Sequence, residues 1–289
     1  ITAALNAGGI YSEEALPEKI GLITDGQFGN ALADLELSSL NIRKHLKQGY
    51  TYVVPGFYGI STDGRITVFG RGGSDYTAAV LAHCLQAQQV DLWKDVCGFL
   101  SADPNVIGQT LPIQKLTYLE AAELAYFGAG ILHPYTVDPL IPEKIPLCLF
   151  NISKTKKIDY PCTQISENGI ISDGVIKSIT STDDVAILRL IGGDIGKKPG
   201  IIAKISGILS DKNINIKSIL TSQTTINFLL SQKNFVKAKE LLEQEKLLAI
   251  EALESRTRIS LIAVVGVGIN SHKGIFSKIF RVLARQNIN

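Results

Sequence analysis

A glycine-rich turn carries residues whose types and spacing suit the binding of an anion. The chain reads Phe69-Gly70-Arg71-Gly72-Gly73-Ser74-Asp75 and then enters an apolar run that predicts a helix over Ala78–Gln86. Glycines let a phosphate or carboxylate approach backbone amides, and a helix N-terminus favours negative charge. Arg71 adds a planar guanidinium suited to a carboxylate, and Ser74 or Asp75 can cap the helix. A plain tight turn explains the glycines equally well, so the motif alone leaves both interpretations open.

A second candidate site follows a short apolar strand that starts at Val90. This strand runs into a long polar loop that ends at Asp103-Pro104. Ligands commonly bind at such a position, at the carboxyl edge of the sheet in an α/β fold. An exposed turn stabilised by the Asp-Pro dipeptide would produce the same pattern without a ligand.

A third motif is a helix with clear start and stop signals. Thr117-Tyr118-Leu119-Glu120 reads as a capping box that opens a helix over Ala121–Phe127. Gly128 and Gly130 then end the helix just before His133. These signals favour a structural, hydrogen-bonding His133 over a catalytic one.

Composition excludes several functional classes. With 45% hydrophobic and 19% charged residues the chain is that of a folded globular protein, and a net charge of +2 with scattered cations predicts no nucleic-acid partner. Apolar stretches such as Leu261–Val265 are too short to span a membrane. No G-x-x-x-x-G-K-[ST] phosphate loop occurs. The four cysteines form no C-x-x-C pair and the histidines complete no zinc pattern, which favours reduced thiols in the cytoplasm, two of them in cores.

An internal repeat is the most informative feature of the second half. Residues 185–215 and 259–289 align without a gap at a spacing of 74 positions, as between Gly200 and Gly274. Asn213-Ile214-Asn215 recurs as Asn287-Ile288-Asn289. Such self-similarity marks a duplicated unit.

Each copy reads as a β-branched strand, a glycine turn, an amphipathic helix and a further strand. The first copy continues through strands at Ile216–Leu220 and Thr225–Leu230 to a helix from Asn234 to about Glu243. This βαββαβ order resembles the ACT domain, a module that binds amino acids between paired copies. Any ferredoxin-like sandwich would share the periodicity. The turn Gly192–Gly200 would let a ligand reach the amides of the following helix.

The motifs of the first half occur together in one order. They are GRGGSD at 70–75, WKDV and SADP within 93–104, and YLEAAELAYFGAGILHP at 118–134, preceded by TDGQFGN at 24–30 and PGFYG at 55–59. In this series the chain resembles the aspartokinases of the amino-acid kinase fold, in which an ACT pair also follows the kinase domain. The resemblance implies ATP-dependent phosphorylation of the L-aspartate side-chain carboxylate to 4-phospho-L-aspartate. That reaction opens lysine, threonine and methionine biosynthesis.

The resemblance also implies site residues. Substrate-binding positions are Phe57, Arg71 and Asp75, where Arg71 would hold a carboxylate and Asp75 the substrate ammonium or a neighbouring lysine. The implied nucleotide-binding positions are Gly72, Gly73, Ser74, Lys94, Asp95, Leu100, Asn105, Gly130 and Ile131. ATP and Mg²⁺ are the implied cofactors, and no metal-ligating residue is assigned.

Four of these positions depart from the family pattern. Lys94 replaces a usual threonine, Leu100 a common tyrosine, Asn105 a common arginine and Gly130 a lysine of many members. The family's N-terminal lysine–glycine motif does not occur in the sequence, so the catalytic residue is not assigned. The chain opens at Ile1 and contains no methionine, and the second repeat stops at Asn289. We therefore expect further residues at both ends, and an active enzyme only with the N-terminal segment.

The expected architecture is α/β: a three-layer αβα amino-acid kinase fold followed by two ferredoxin-like ACT modules. The expected domains are a catalytic part at 1–150, a linker with the first regulatory strand at 151–184, ACT module 1 at 185–255 and an incomplete ACT module 2 at 256–289. An ACT module has an open sheet edge, which predicts a homo-oligomer, at least a dimer.

Other functions share parts of this pattern. A kinase acting on glutamate fits the fold, although the motif series and the ACT pair argue against it. The kinase half of a chain fused to homoserine dehydrogenase is a second possibility. The departures at Leu100 and Gly130 raise a third, a non-catalytic amino-acid sensor.

The regulatory effector is expected at the start of the first repeat's helix. The implied effector-binding residues are Gly200, Ile201, Ile202, Ile216, Ser222 and Gln223. Free helix amides would bind the effector carboxylate. Lysine-inhibited relatives carry an acidic pair in the facing strand, where this chain has Lys217 and Gln223. A cation would be repelled by Lys217 and a hydroxyl could bond Gln223, which favours threonine over lysine.

Overall fold

The computed structural model describes residues 1–128, 130–154, 162–168, 175–245, 247–269 and 271–288. The chain divides into two compact units. Unit 1 comprises Ile1–Thr180 together with Ala263–Asn289, and unit 2 comprises Ser181–Ile262. Within the described ranges, no helix is long and apolar enough to cross a membrane.

The first stretch of unit 1 alternates helices with short strands. Its elements are α1 (Thr2–Ala7), β1 (Ser12–Glu14), α2 (Pro17–Ile20), β2 (Ile23–Thr24), α3 (Leu35–His45), β3 (Thr51–Val53), β4 (Tyr58–Ser61), β5 (Ile66–Val68) and α4 (Gly73–Leu85). Strands β2, β4 and β5 form one sheet, in which β4 is parallel to β2 and antiparallel to β5. Strands β1 and β3 form a separate parallel pair.

The second stretch of unit 1 contains a larger mixed sheet. Its elements are β6 (Val90–Lys94), β7 (Lys115–Thr117), α5 (Tyr118–Tyr126), β8 (Leu147–Asn151), β9 (Thr163–Ser166) and β10 (Ser178–Thr182). The strand order is β6-β8-β9-β7, with β6 parallel to β8 and β8 antiparallel to β9. The predicted capping box is confirmed, because Thr117 Oγ1 accepts a bond from Glu120 N (3.1 Å) and the Glu120 carboxylate accepts one from Thr117 N (2.8 Å).

Helix α4 packs into two cores of unit 1, which fixes the glycine turn at its start. Tyr76 and Val80 lie in a core with the α2–α3 region. Ala79 and Ala82 lie in the core of the larger sheet. A helix buried on more than one side has little freedom to shift, so the residues at its first turn are held firmly in place.

Two cysteines lie in cores, as predicted. Cys84 and Cys148 are buried, and burial raises the pKa of the Cys148 thiol to about 11. Both thiols are therefore protonated at neutral pH and behave as small apolar side chains.

Unit 2 has the βαββαβ order that the repeat predicts. Its elements are β11 (Ala186–Ile191), α6 (Ile201–Ser210), β12 (Ile216–Thr221), β13 (Thr225–Leu230), α7 (Gln232–Gln244) and β14 (Ala252–Arg256). The strands form an antiparallel sheet in the order β12-β13-β11-β14. Its core includes Leu188, Ile205 and Phe228, all fully buried. Both helices supply this core, which is the layered packing of a ferredoxin-like sandwich.

The second copy returns to unit 1 with β15 (Leu261–Val265) and α8 (Ile275–Arg285). Strand β15 pairs with β10, although β10 precedes the first copy in the chain. The first strand of the first copy pairs instead with β14, which precedes the second copy. The first strand of each copy therefore pairs with the strand that precedes the other copy.

Candidate functional site

The glycine turn closes through its own backbone. Gly70 and Gly72 both have a φ of 83°, in the left-handed region that favours glycine. Gly73 N donates to Gly70 O (3.1 Å), and Asp75 N donates to Gly72 O (3.1 Å). A Cβ atom at Gly73 would lie 2.7 Å from Phe69 Cβ, so this position admits no side chain without a shift.

The expected side-chain cap at this turn is wrong. The residue before helix α4 is Gly72, which is in the left-handed conformation and has no side chain to cap the helix. Neither Ser74 nor Asp75 caps the helix, because both already belong to it. Ser74 and Arg71 are exposed at the surface of the turn.

Phe57 is held against the same turn in an unusual backbone conformation. Its φ is 83°, in a region that bulky residues rarely occupy. Residues in such strained conformations are concentrated at active and ligand-binding sites. Phe57 N donates to Thr77 Oγ1 (2.9 Å), and Phe57 O accepts from Phe69 N (3.0 Å). The two bonds stabilise the conformation, and Phe57 is 43% exposed beside the turn. The structure thus brings Phe57 and the glycine turn together.

Asp75 is paired with Lys94 across the candidate site. The Lys94 Nζ atom lies 2.6 Å from Asp75 Oδ2, and the side chains are 24% and 13% exposed. The sequence interpretation gave Asp75 either the substrate ammonium or a neighbouring lysine, and the structure has the lysine. Asp95, next along the chain, is exposed. The ion pair connects the end of β6 with the first turn of α4.

His133 has a structural environment beneath the turn. It is 7% exposed and packs against Tyr76 and Tyr135. Its Nδ1 atom accepts a bond from Tyr135 N (3.2 Å), and a Cβ atom on Gly72 would touch its Cβ at 3.4 Å. Burial lowers the pKa of His133, with the Phe69 backbone and Asp75 acting in the opposite direction. The neutral ring is therefore the form that fits this site.

A cavity of about 230 Å³ lies within unit 1, beside the loop that follows β6. Three of the predicted nucleotide-binding residues line it: Leu100, Asn105 and Ile131. The cavity is below the usual range of about 300–1,000 Å³ for small-molecule sites, so it could enclose only part of a ligand of nucleotide size. The loop is braced locally, because Asn105 N and Nδ2 both donate to Asp103 Oδ1 (2.8 and 3.0 Å).

The other predicted nucleotide-binding residues lie outside the lining of this cavity. They are Gly72, Gly73 and Ser74 at the start of α4, Lys94 and Asp95 at the end of β6, and Gly130 beside Ile131. Gly130 has a φ of 63°, which favours glycine at a position where many members of the family carry lysine.

One wall of the cavity was not anticipated from the sequence. Strand β10 contributes Ser178, Ile179 and Thr180 to the lining. Ser178 Oγ donates to Leu100 O (2.8 Å), and Ile179 N donates to Ser101 O (2.9 Å). These residues form no recognisable motif, and their contacts are distant along the chain.

In unit 2 the glycine turn of the first repeat packs against the β12–β13 connection. Gly196 N donates to Gln223 O (2.9 Å), and Gly192 N donates to Thr224 O (3.0 Å). A Cβ atom at Gly196 would lie 2.8 Å from Gln223 O. Ser222 Oγ lies 2.7 Å from Thr225 Oγ1. The structure therefore brings the turn close to the predicted effector residues Ser222 and Gln223.

The remaining predicted effector residues are spread along α6 and β12. Gly200, with a φ of 84°, precedes Ile201 and Ile202 in the first turn of α6. Ile216 begins β12. A strand rises about 3.3 Å per residue, so Ile216 and Gln223 lie near opposite ends of β12.

Lys217 does not lie where the effector argument requires it. Its Nζ atom donates to Asp184 O (3.1 Å) and lies 3.7 Å from Asp184 Oδ2. Gln223 is six positions after Lys217, and the last two of these positions lie beyond the end of β12. The strand from Lys217 to Thr221 alone spans about 13 Å, so Lys217 and Gln223 lie toward opposite ends of β12. The structure therefore pairs Lys217 with Asp184 and does not bring it beside Gln223, and the effector preference stays a prediction.

The comparisons with known proteins agree with this architecture. The Amino acid kinase family profile matches residues 1–151, and the ACT domain profile matches residues 180–244. The aspartate kinase of Pseudomonas putida is 30% identical over 297 residues, which cover 100% of this chain and 71% of that protein. Lysine-sensitive aspartokinase 3 of Escherichia coli is 32% identical, covering 92% of this chain and 60% of that enzyme.

Two further similarities extend the comparison. The bifunctional aspartokinase/homoserine dehydrogenase of Buchnera aphidicola is 32% identical over 90% of this chain, which spans 32% of that protein. The crystal structure of E. coli aspartokinase III in complex with aspartate and ADP superposes with a TM-score of 0.81 at 29% identity, covering 96% of this chain and 63% of that one. The chain therefore belongs to the aspartokinases, within the amino acid kinase family.

Proposed function

We propose that the protein of which this chain is part transfers the γ-phosphate of ATP to the side-chain carboxylate of L-aspartate. The observation that carries the proposal is the shared position of three groups: the Arg71 turn, the Phe57 backbone and the Asp75–Lys94 ion pair. A crystal structure of the E. coli relative holds aspartate and ADP, which supports the same ligands here.

Different residues would bind the substrate carboxylate, the phosphates and the rest of the nucleotide. Arg71 offers a planar guanidinium, which can hold a carboxylate through two hydrogen bonds. The amides at the start of α4 lie at the positive end of its dipole and favour an anion. The cavity beside Leu100 and Asn105 would take part of the nucleotide. Phosphoryl transfer depends mostly on such positioning and on neutralised charge.

Magnesium is the metal that this chemistry implies. Among the described residues no group of three or more His, Cys, Asp or Glu side chains could hold a metal ion. Mg²⁺ usually binds through one or two carboxylates and the phosphates of the substrate, so a smaller donor set is enough. Asp95, an exposed carboxylate next to Lys94, is the candidate donor, because Asp75 is already paired with Lys94. When bound, the ion would neutralise charge on the transferred phosphoryl group.

The decisive experiment is a substrate series with the full-length protein. ADP release should require ATP, Mg²⁺ and L-aspartate, and equal concentrations of L-glutamate should support little turnover. Equal activity with glutamate would overturn the substrate assignment. Nucleotide binding measured by calorimetry separates an enzyme from a non-catalytic amino-acid sensor.

A bifunctional protein is a second candidate. The Buchnera relative carries both an aspartokinase and a homoserine dehydrogenase name, and the chain matches only part of it. The length of the open reading frame and an assay for NAD(P)H-dependent reduction of aspartate semialdehyde distinguish the two candidates.

Regulation by an amino acid is part of the proposal, because the ACT profile matches residues 180–244. The effector would bind near the 192–200 turn and Gln223, where the neutral side chains of Ser222 and Gln223 could bond the hydroxyl of threonine. Inhibition by threonine and by lysine should be compared in the wild type and in Gln223→Ala. Strong inhibition by lysine alone would exclude the threonine preference.

Self-association follows from the open edge of unit 2. Strand β12 is an edge strand, and Ser218–Thr221 are exposed along it. An exposed edge favours pairing with another strand, so a homodimer through this module is expected. Light scattering of the full-length protein at micromolar concentration should give at least twice the monomer mass.

A further inference from the structure

An ion pair in unit 1 is almost completely buried, outside the residues assigned to substrate and nucleotide. Lys177 Nζ lies 2.7 Å from Glu120 Oε2, and the side chains are 6% and 3% exposed. Lys177 Nζ also donates to Lys115 O (3.1 Å), and the Glu120 carboxylate accepts from Thr117 N (2.8 Å). Burying two charges is costly unless both are well bonded, and here they are.

The pair joins three segments of unit 1. Glu120 lies in the first turn of α5, and its Oε1 atom accepts from Val267 N (2.7 Å), in the turn after β15. Lys177 immediately precedes β10, and Lys177 N donates to Val265 O (2.9 Å). The next residues, Ser178–Thr180, form the wall of the candidate nucleotide cavity. One ion pair therefore connects α5, the turn of the second repeat and the cavity wall.

The first repeat provides an internal comparison for this cluster. At the spacing of 74 positions, Gly193 corresponds to Val267. Glu251 and Lys177 have the same spacing and make equivalent backbone bonds, to Ile191 O (2.7 Å) and to Val265 O (2.9 Å). In the first repeat, Gly193 N donates to Glu251 Oε1 (2.9 Å), and Glu251 is exposed. The turn amide is thus bonded by a carboxylate just before β14, within unit 2.

At the equivalent position just before β10, the charge is reversed, from Glu251 to Lys177. The turn amide of Val267 donates to the carboxylate of Glu120 in α5, and Lys177 forms an ion pair with that carboxylate. The equivalent amide therefore donates to a glutamate just before β14 in one copy and to Glu120 of α5 in the other. The exchange of an acid for a base at this position therefore matches the carboxylate that α5 supplies.

We propose that Lys177 and Glu120 are positioning residues for nucleotide binding. They hold β10, which forms the cavity wall, against the loop at Leu100–Ser101. They also link β10 to the glycine turn of the second repeat. The proposal rests on the proposed function in one respect, the assignment of the cavity to the nucleotide. The positioning of β10 is testable without that assignment.

The test uses the full-length protein with Lys177→Met, Glu120→Gln and the double variant. The control is Lys144→Met, which breaks an exposed pair in the same unit, Lys144–Glu167 at 3.0 Å, with side chains 66% and 55% exposed. Calorimetry should show MgADP binding weakened about 10-fold in each single variant. The double variant should recover part of this loss, because it leaves no buried charge unpaired. The control should bind as the wild type does.

Hydrogen exchange supplies the readout that is independent of the nucleotide. In ligand-free Lys177→Met, the amides of Ile179 and Val267 should exchange at least about 10-fold faster, whereas the amide of Leu92 in β6 should be unchanged. Lys177→Arg keeps the charge and should preserve both amides, which covers the case in which Lys177→Met fails to fold. Uniformly faster exchange, or unchanged exchange at Ile179 in a folded Lys177→Met, would overturn the proposal. If the wild type binds no MgADP but exchange at Ile179 responds as expected, the proposed function fails and the positioning role stands.

Discussion

Lys94 and Asp75 form an ion pair of 2.6 Å between Nζ and Oδ2, at the meeting point of β6 and α4. Because both side chains are mostly buried, solvent screens their attraction less than at the surface. In a double-mutant cycle with Lys94→Met and Asp75→Asn, we expect a coupling of about 1–2 kcal/mol in the free energy of unfolding. Urea denaturation measures it.

The control for this cycle is the exposed pair of Arg65 and Asp63, which lies at 2.7 Å with side chains 63% and 53% exposed. Its coupling should be no more than about 1 kcal/mol, the usual range for surface ion pairs. Equal coupling in the two cycles would contradict a special role for the Lys94–Asp75 contact.

Arg71→Ala should abolish aspartate-dependent ADP release without unfolding the protein. The side chain is exposed and packs into no core, but a charged hydrogen bond to a carboxylate contributes about 2–3 kcal/mol to binding. The effect should be greatest in kcat/KM at low aspartate. Arg65→Ala, a few residues earlier, is the matched control and should retain activity.

Alanine should be poorly tolerated at two equivalent glycines of the repeats. A Cβ atom would lie 1.9 Å from Ala249 O at Gly192 and 1.9 Å from Val175 O at Gly266. Because backbone atoms cannot move aside easily, Gly192→Ala and Gly266→Ala should each lower the free energy of unfolding by about 3 kcal/mol. Gly207→Ala in α6 is the contrast, since nothing lies within 4 Å of its added Cβ, and should stabilise by up to about 1 kcal/mol. Thermal unfolding of the three variants distinguishes these outcomes.

His133 should make stability depend on pH in mildly acidic solution. Burial lowers the pKa of the folded imidazole below the ordinary value of 6.5. Between these two values the unfolded chain binds more protons than the folded one, so stability is full above about pH 6.5 and falls as the pH drops. Protonation of Nδ1 would also break its bond from Tyr135 N. Urea unfolding at pH 7.5 and 5.5 should show a smaller difference in His133→Gln than in the wild type or in His45→Gln, which alters an exposed histidine.

Local sequence signals predicted the secondary structure well where the conformation of a segment depends mainly on its own residues. The capping box at Thr117 and the strand Thr225–Leu230 were predicted residue by residue. The start of α4 was placed too late, because its first turn follows a left-handed Gly72 and needs no side-chain cap. A polar residue before a helix is a common signal, but a glycine in this conformation serves equally well.

Sequence patterns could not predict the contacts between segments that are distant along the chain. Nothing around Ser178 indicated that β10 would line a cavity, and Lys217 was placed near Gln223 only by assuming a strand register. The pairing of Lys177 with Glu120 depends on tertiary packing across many intervening residues. The repeat gave the equivalence of positions, and only the structure showed which partner each position has.

The chain leaves unit 1 at Thr180 and re-enters it at Ala263, which has a consequence for synthesis on the ribosome. Unit 2 is continuous and can complete its sheet as soon as it emerges, whereas β10 must wait for β15. The entropy cost of closing such a long loop grows only slowly with its length, but non-local pairing slows folding. The cavity wall formed by β10 should therefore be among the last parts of the nascent chain to mature, and a stalled or truncated chain would contain a folded unit 2 and an incomplete candidate cavity in unit 1.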